Sequence, residues 1–316
     1  MKRRISAVSA LLLFALCFVP SGCRRSESET SQGPTVALVM KTLNNPFFVD
    51  MERGAREAAK RLGVNLIVQA AEREIDVEKQ MQIVENLIQR KVQAICVSPS
   101  GSKEIVPAIL KANQASIPVL IVDTRVDAAA LAKAGGRAAT FIGSDNIEGG
   151  RIAGRFMVEQ LQGKGSVVIL EGVPGHETGD ARLKGFREVL DRETGIKVAA
   201  SQTANWERDQ GYNVLQNLLQ SQPDIRGVFA CNDLMALGAV EAIAAARKTG
   251  ILVVGFDATS DAREAIRKNS MAASIAQHPE EMGRLAVENA LAVISGKPIP
   301  SEVPVKVELI TKSNSE

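Results

Sequence analysis

The side chains with the widest chemical reach in this 316-residue chain are three aspartates, Asp123, Asp180 and Asp257, and two histidines, His176 and His278. Two carboxylates in differently tuned surroundings, or a histidine beside a hydroxyl or thiol, could run acid–base or nucleophilic chemistry. His176 lies in "EGVPGHETGDAR" with no evident nucleophile to serve, so no catalytic set emerges. His278 is about a hundred residues further on, which leaves no metal-ligand spacing. Cys96 and Cys231 sit in apolar runs, "QAICVSP" and "GVFACND", and read as buried small hydrophobes. Neither metal nor cofactor is expected. What remains is recognition. The segment "KTLNNPFF", residues 41–48, carries two adjacent Phe in a chain with only nine Phe, one Trp and one Tyr. Asn45 followed by Pro46 reads as a helix start, which puts Phe47 and Phe48 in a first turn where a core helix would normally use Leu, Ile or Val. The lone Trp206 sits in polar "TANWERDQG".

These residues need elements to position them. From residue 35 onward, short β-branched runs alternate with amphipathic stretches. The runs are "TVALVM", "NLIVQA", "AICVSP", "VLIVD", "TFIGSD", "SVVILEG", "KVAASQT", "GVFACND", "ILVVGFD" and "AASIAQ". Between the first two, "FVDMERGAREAAKRLG" spaces Val49, Ala55, Ala58, Ala59 and Leu62 for one helix face. Continuous apolar strands separated by helices imply parallel sheets covered on both faces. Ten strands exceed one ordinary open sheet, so the reading is α/β with two doubly wound parallel-sheet lobes. Ligands of such sheets bind outside the carboxyl ends of the strands, and Asn45, Asp123, Asp180, Asn232, Asp257 and Gln277 all follow predicted strands.

Composition, 45% hydrophobic and 23% charged with a formal charge of +2, excludes a multispanning membrane protein and gives no general case for nucleic acid. Mixed-charge stretches such as "EREIDVEKQ" read as solvated helix faces. The N-terminus differs: Lys2, Arg3 and Arg4 precede an apolar run from Ala7 to Val19, too short to span a bilayer and suited to a secretory signal. The run ends in "FVPSGC", which resembles the lipobox of bacterial lipoproteins and makes Cys23 a candidate lipid anchor on a membrane surface. Pro20 stands where that motif has an aliphatic residue, so cleavage without lipid stays open. The following "RRSESETSQGP" reads as a flexible tether.

In order along the chain, "TLNNPFF", "VPVLIVD", "GSDNIEGGRIAG", "NVLQNLL", "NDLMALGA", "VVGFDATSD" and "AASIAQ" resemble the periplasmic ribose-binding protein family over residues 35 to 312. The resemblance implies an extracytoplasmic solute-binding subunit of an ATP-binding cassette importer, with a sugar or polyol trapped between two lobes by hinge closure. It implies three crossovers near Ser144, Gln277 and Lys306. The expected organisation is a signal peptide at 1–22 and a tether at 23–34, followed by the lobes. One lobe takes 35–143 plus 278–306, the other 144–277 plus 307–312. A monomer that meets a membrane permease is expected, not an enzyme. A sensor input to a chemoreceptor or membrane kinase is the alternative reading. A repressor core is the lesser one, since no helix-turn-helix segment precedes the lobes.

The resemblance also implies the site. Sugar rings need aromatic faces for their C–H patches and fixed partners for their hydroxyls. Phe47 and Phe48 would stack from one side, Trp206 and Phe256 from the other, and Asn45, Asp123, Asn232, Asp257 and Gln277 would bond hydroxyls. For Asn45 the cap role and the ligand role stay open together. Three positions depart from the ribose pattern: Lys41 replaces Ser, Thr124 replaces Arg, and Asp180 replaces a second Arg. Arg182 keeps the next arginine without needing to face the ligand. That leaves Lys41 against Asp123, Asp180 and Asp257, with Lys41 bridging to an aspartate across the cleft or the ligand offsetting the excess. Ribose binding should then be weak or absent. A different neutral sugar or polyol, or an amine-bearing sugar, is the expected ligand, unless Lys41 and Asp180 only line the rim.

Overall fold

The structure is a computed structural model that describes residues 33–315. The predicted signal peptide, Cys23 and the tether as far as residue 32 lie outside the described residues.

Strands and helices alternate through the first lobe. They are β1 (Thr35–Met40), α1 (Pro46–Leu62), β2 (Asn65–Ala70), α2 (Val77–Gln89), β3 (Ala94–Val97), α3 (Val106–Gln114), β4 (Val119–Val122), α4 (Ala128–Lys133) and β5 (Phe141–Ser144). The second lobe repeats the pattern with α5 (Asn146–Gln160), β6 (Gly165–Glu171), α6 (Glu177–Leu190), β7 (Ile196–Thr203), α7 (Arg208–Ser221), β8 (Ile225–Ala230), α8 (Asp233–Ala245), β9 (Leu252–Asp257), α9 (Ser260–Arg267) and β10 (Ala273–Ala276). The chain ends through α10 (Pro279–Ile294), β11 (Glu302–Val305) and β12 (Glu308–Ile310).

Two six-stranded sheets result, ordered β11-β5-β4-β3-β1-β2 and β12-β10-β9-β8-β6-β7. All pairings are parallel except β10 with β12. The chain passes between the sheets three times, after Ser144, after Gln277 and at Lys306, because α10 returns to pack on α1 in the first lobe. Side chains of β1 alternate between two cores: Val36, Leu38 and Met40 pack with α1 and α10, while Ala37 and Val39 pack with α2 and α3. That period of two is what covers a parallel sheet on both faces.

The ten predicted strands are all present, and β11 and β12 are additional. Both are short edge strands, and Pro304 in β11 is tolerated only because an edge needs no further ladder donor. The inner face of α1 also differs from the sequence reading. Val49 is 44% exposed, and Phe47, Phe48, Met51, Ala55, Ala58 and Ala59 turn inward instead. Asn45 starts this helix, its Oδ1 accepting from the Phe47 N–H at 3.0 Å, and Gly63 ends it at φ 67°, a left-handed conformation glycine adopts without strain. Cys96 and Cys231 are free and buried, and burial pushes both thiols up to about 12.

Candidate functional site

The carboxyl ends of the two sheets face each other across a tight cavity of about 20 Å³. The first lobe lines it from the ends of β1 (Lys41, Asn45, Phe47, Phe48), β2 (Glu74) and β4 (Asp123). The second lobe adds Thr178 and Arg182 from α6, then Trp206, Asn232, Asp257 and Gln277 from the ends of β7, β8, β9 and β10. None of these residues is more than 7% exposed. A larger depression of about 1010 Å³, lined by Val92, Ile117 and Ile294, lies at the opposite strand ends, away from these polar groups.

In the first lobe, Lys41 Nζ lies 3.7 Å from Glu74 and 3.6 Å from Asp123. Asn45 Nδ2 donates to Glu74 Oε1 at 2.9 Å, so one carboxamide both caps α1 and holds the carboxylate. Asp123 Oδ2 accepts from the Ser98 and Thr124 hydroxyls, each at 2.9 Å. Burial raises the Glu74 carboxyl above its usual range, opposed by Lys41. Phe47 and Phe48 meet edge to face with ring centres 5.2 Å apart, and Lys41 Nζ sits 5.8 Å over the Phe48 ring.

In the second lobe, Arg182 is held on three sides. Its Nε donates to Asn146 Oδ1 at 2.9 Å, an Nη donates to the Cys231 carbonyl at 2.7 Å, and the guanidinium stacks 3.9 Å over Phe256. Asp257 lies 3.6 Å from that guanidinium and accepts from Gln277 Nε2 at 2.6 Å. Burial drives the Asp257 carboxyl well above its usual range, against the pull of Arg182. Gln277 Oε1 is buried without a partner, an acceptor left for something else in the cavity. Asn232 caps α8 through Oδ1 and donates to the Trp206 carbonyl through Nδ2. The Trp206 indole lies against Gly172, where a Cβ would come within 2.0 Å of the ring, and its N–H reaches His176 Nδ1 at 3.4 Å.

Nine of the twelve residues singled out from sequence line the cavity: Lys41, Asn45, Phe47, Phe48, Asp123, Trp206, Asn232, Asp257 and Gln277. Thr124 and Phe256 stand one layer behind, Thr124 bonded to Asp123 and Phe256 beneath Arg182. Asp180 lies outside the cavity on the exposed side of the first turn of α6. The lining charges are therefore two cations, Lys41 and Arg182, and three carboxylates, Glu74, Asp123 and Asp257. Lys41 pairs within its own lobe, not across the cleft. Glu74 and Thr178 were not anticipated, and Arg182, read from sequence as an arginine that need not face the ligand, does line the cavity. Thr178 and Arg182 are four residues apart and share a helix face, whereas Asp180 lies between them on another, and that spacing was the available signal.

Aromatic faces with convergent donors and acceptors can desolvate and orient a small polyhydroxy ring. The sequence model described as "Periplasmic binding protein domain" matches residues 36–298. A ribose import binding protein of Bacillus subtilis is 38% identical over 99% of this chain and 100% of its own length. The D-allose-binding periplasmic protein of Escherichia coli is 36% identical over 87% of this chain and 89% of its own. A solved periplasmic solute-binding protein of an ABC transporter from Actinobacillus succinogenes, with bound D-allose, superposes with a TM-score of 0.85. It is 41% identical, covering 89% of this chain and 99% of that one. By the match of the domain and the near full-length likeness to ribose import binding proteins, this chain belongs to the ribose-type periplasmic binding proteins.

Proposed function

We propose that this chain is an exported solute-binding protein that closes its lobes on one neutral monosaccharide, a hexose of the D-allose kind in preference to ribose, and presents it to the permease of an ATP-binding cassette importer. The observation that carries this reading is the closed cavity in which Asp123 and Asn45 from one lobe and Asp257, Asn232 and Gln277 from the other converge beside aromatic faces. Carboxylates and carboxamides so placed can each serve neighbouring hydroxyls.

A neutral ligand is favoured over an amine-bearing one by the charge balance. Two cations face three carboxylates, Lys41 between Glu74 and Asp123 and Arg182 beside Asp257, so each carboxylate already has a cation within 3.7 Å. A hexose is favoured over ribose by Lys41, a donor that stands beside Glu74 where the ribose pattern has a serine, and by the 41% identical solved relative with bound D-allose. The protein acts as a monomer held at the membrane by lipid on Cys23, which mass spectrometry of the mature chain from its own host would detect as a modified first residue.

The test is a panel of D-allose, D-ribose, myo-inositol and an aminosugar, read by thermal shift and Trp206 emission. A ligand at about a hundred times its dissociation constant adds roughly 2.7 kcal/mol to the folded state. D-allose should give the largest shift. Tight ribose binding would defeat the hexose preference, and silence across the panel would defeat the sugar reading.

A further inference from the structure

Outside the sugar cavity the lobes touch each other at a compact cluster of hydrogen bonds. Helix α6 of the second lobe begins at Glu177, and His176 before it makes no side-chain cap, its ring being engaged by Trp206. The Glu177 N–H, one of the donors a helix start leaves over, is taken by Ser102 Oγ of the first lobe at 3.2 Å. One residue on, the Thr178 and Thr124 hydroxyls meet at 2.8 Å. Thr124 gives its single proton to Asp123, so Thr178 is the donor to Thr124. The Arg125 Nε lies 4.0 Å from Glu177 Oε1, with the Arg125 guanidinium stacked 3.8 Å over Phe141 and bonded to Glu302.

We propose that Ser102 and Thr124 of the first lobe, with Glu177 and Thr178 of the second, form a clasp that sets the open–closed balance by the same amount for every ligand. The proposal rests on the reading that capture proceeds by lobe closure. Ser102, Thr124 and Glu177 do not line the cavity, so their contacts are made between protein groups and carry no information about which sugar is enclosed. A contact present only in the closed form shifts the closed population, and the apparent affinity of each ligand scales with that population. Thr124 stands where the ribose pattern has an arginine. The clasp therefore puts a lobe-to-lobe bond at a position the resemblance assigns to a ligand contact, and strengthens binding without adding selectivity.

Ser102→Ala tests it, with Ser102→Thr as the variant that keeps the hydroxyl. Losing one such hydrogen bond should weaken binding about fivefold. Calorimetry with two sugars of different affinity should show both weakened by a common factor in Ser102→Ala, with Ser102→Thr close to the parent. Lobe-to-lobe paramagnetic relaxation in the ligand-free proteins, which reports a minor closed form, should be weaker for Ser102→Ala than for the parent. Unchanged affinity, or a loss that differs between the two sugars, overturns the clasp. If no sugar binds, the relaxation comparison decides alone: an unchanged closed population overturns the clasp, and a reduced one supports it while the sugar reading falls.

Discussion

The ammonium of Lys41 lies 3.7 Å from the carboxylate of Glu74, and the two side chains are only 3% and 7% exposed. At that separation the pair attracts electrostatically but makes no hydrogen bond, so the ammonium protons stay free to point at a ligand hydroxyl. Asn45 holds Glu74 from the other side, which fixes the carboxylate on the cavity floor. Glu74 thus anchors Lys41 as much as Lys41 neutralises Glu74.

Replacing Lys41 with Met should strand Glu74 and Asp123 as buried carboxylates without a cation in their lobe. Breaking a buried pair by removing one partner costs roughly 3–5 kcal/mol. Urea unfolding of Lys41→Met should show a loss on that scale, and the double variant Lys41→Met, Glu74→Gln should recover part of it. A single variant within about 0.5 kcal/mol of the parent, the range of ordinary surface changes, would show that the pair does not matter to the fold.

Asp257 makes stability depend on pH in a direction opposite to most surface carboxylates. Its folded-state pKa is raised well above 3.8 by burial, so just above the ordinary value the folded chain keeps a proton that the unfolded chain has released. Stability from this group is therefore full below about 3.8 and is lost as pH rises through the raised folded value. Asp257→Asn should lose that slope. Relative to the parent, the variant should gain stability as pH rises from mildly acidic to neutral in urea titrations. A constant offset would mean that Asp257 ionises normally.

The strands were legible because "TVALVM" and its successors are continuous apolar runs, and burial on both faces of a parallel sheet demands them. Edge strands β11 and β12 carry no such run: they are only four and three residues long, and of these seven only Val305 and Ile310 are buried. Glu74 was hidden for a different reason. "EREIDVEKQ" has the mixed charge of a solvated face, and the partners that draw Glu74 inward, Asn45 and Lys41, lie about thirty residues back in the chain. Local pattern cannot report a burial decided by a distant strand end. Gln80, in the same stretch, is wholly buried for the same kind of reason, its carboxamide bonded to Ser98 and Ser100 beyond the next strand.

His176 offers an optical check on the second lobe. The indole N–H of Trp206 only donates, so Nδ1 of His176 is the acceptor and the neutral ring is required. Burial, with help from Lys41, lowers this imidazole from 6.5 to about 4. Its contribution to stability is therefore lost as pH falls from 6.5 toward 4. Trp206 emission should change reversibly with a midpoint near 4 while far-ultraviolet circular dichroism stays constant, and His176→Asn should remove the step. A midpoint near 6.5 in the folded protein would place the ring in water.

Two changes on α6 separate the geometry of the helix from the pattern of its sequence. Arg182→Lys keeps the charge but cannot serve Asn146 Oδ1, the Cys231 carbonyl and the Phe256 face at once, because a lysine ammonium is a point charge without the planar fork. Affinity for whichever sugar binds tightest in the panel should fall at least about tenfold, or about 1.4 kcal/mol, by calorimetry. Asp180→Asn changes an exposed group on another face of the helix, and its affinity should stay within about twofold of the parent. The reverse outcome, a large loss in Asp180→Asn with Arg182→Lys unaffected, would return Asp180 to the cavity and restore the excess of negative charge that favours an amine-bearing ligand.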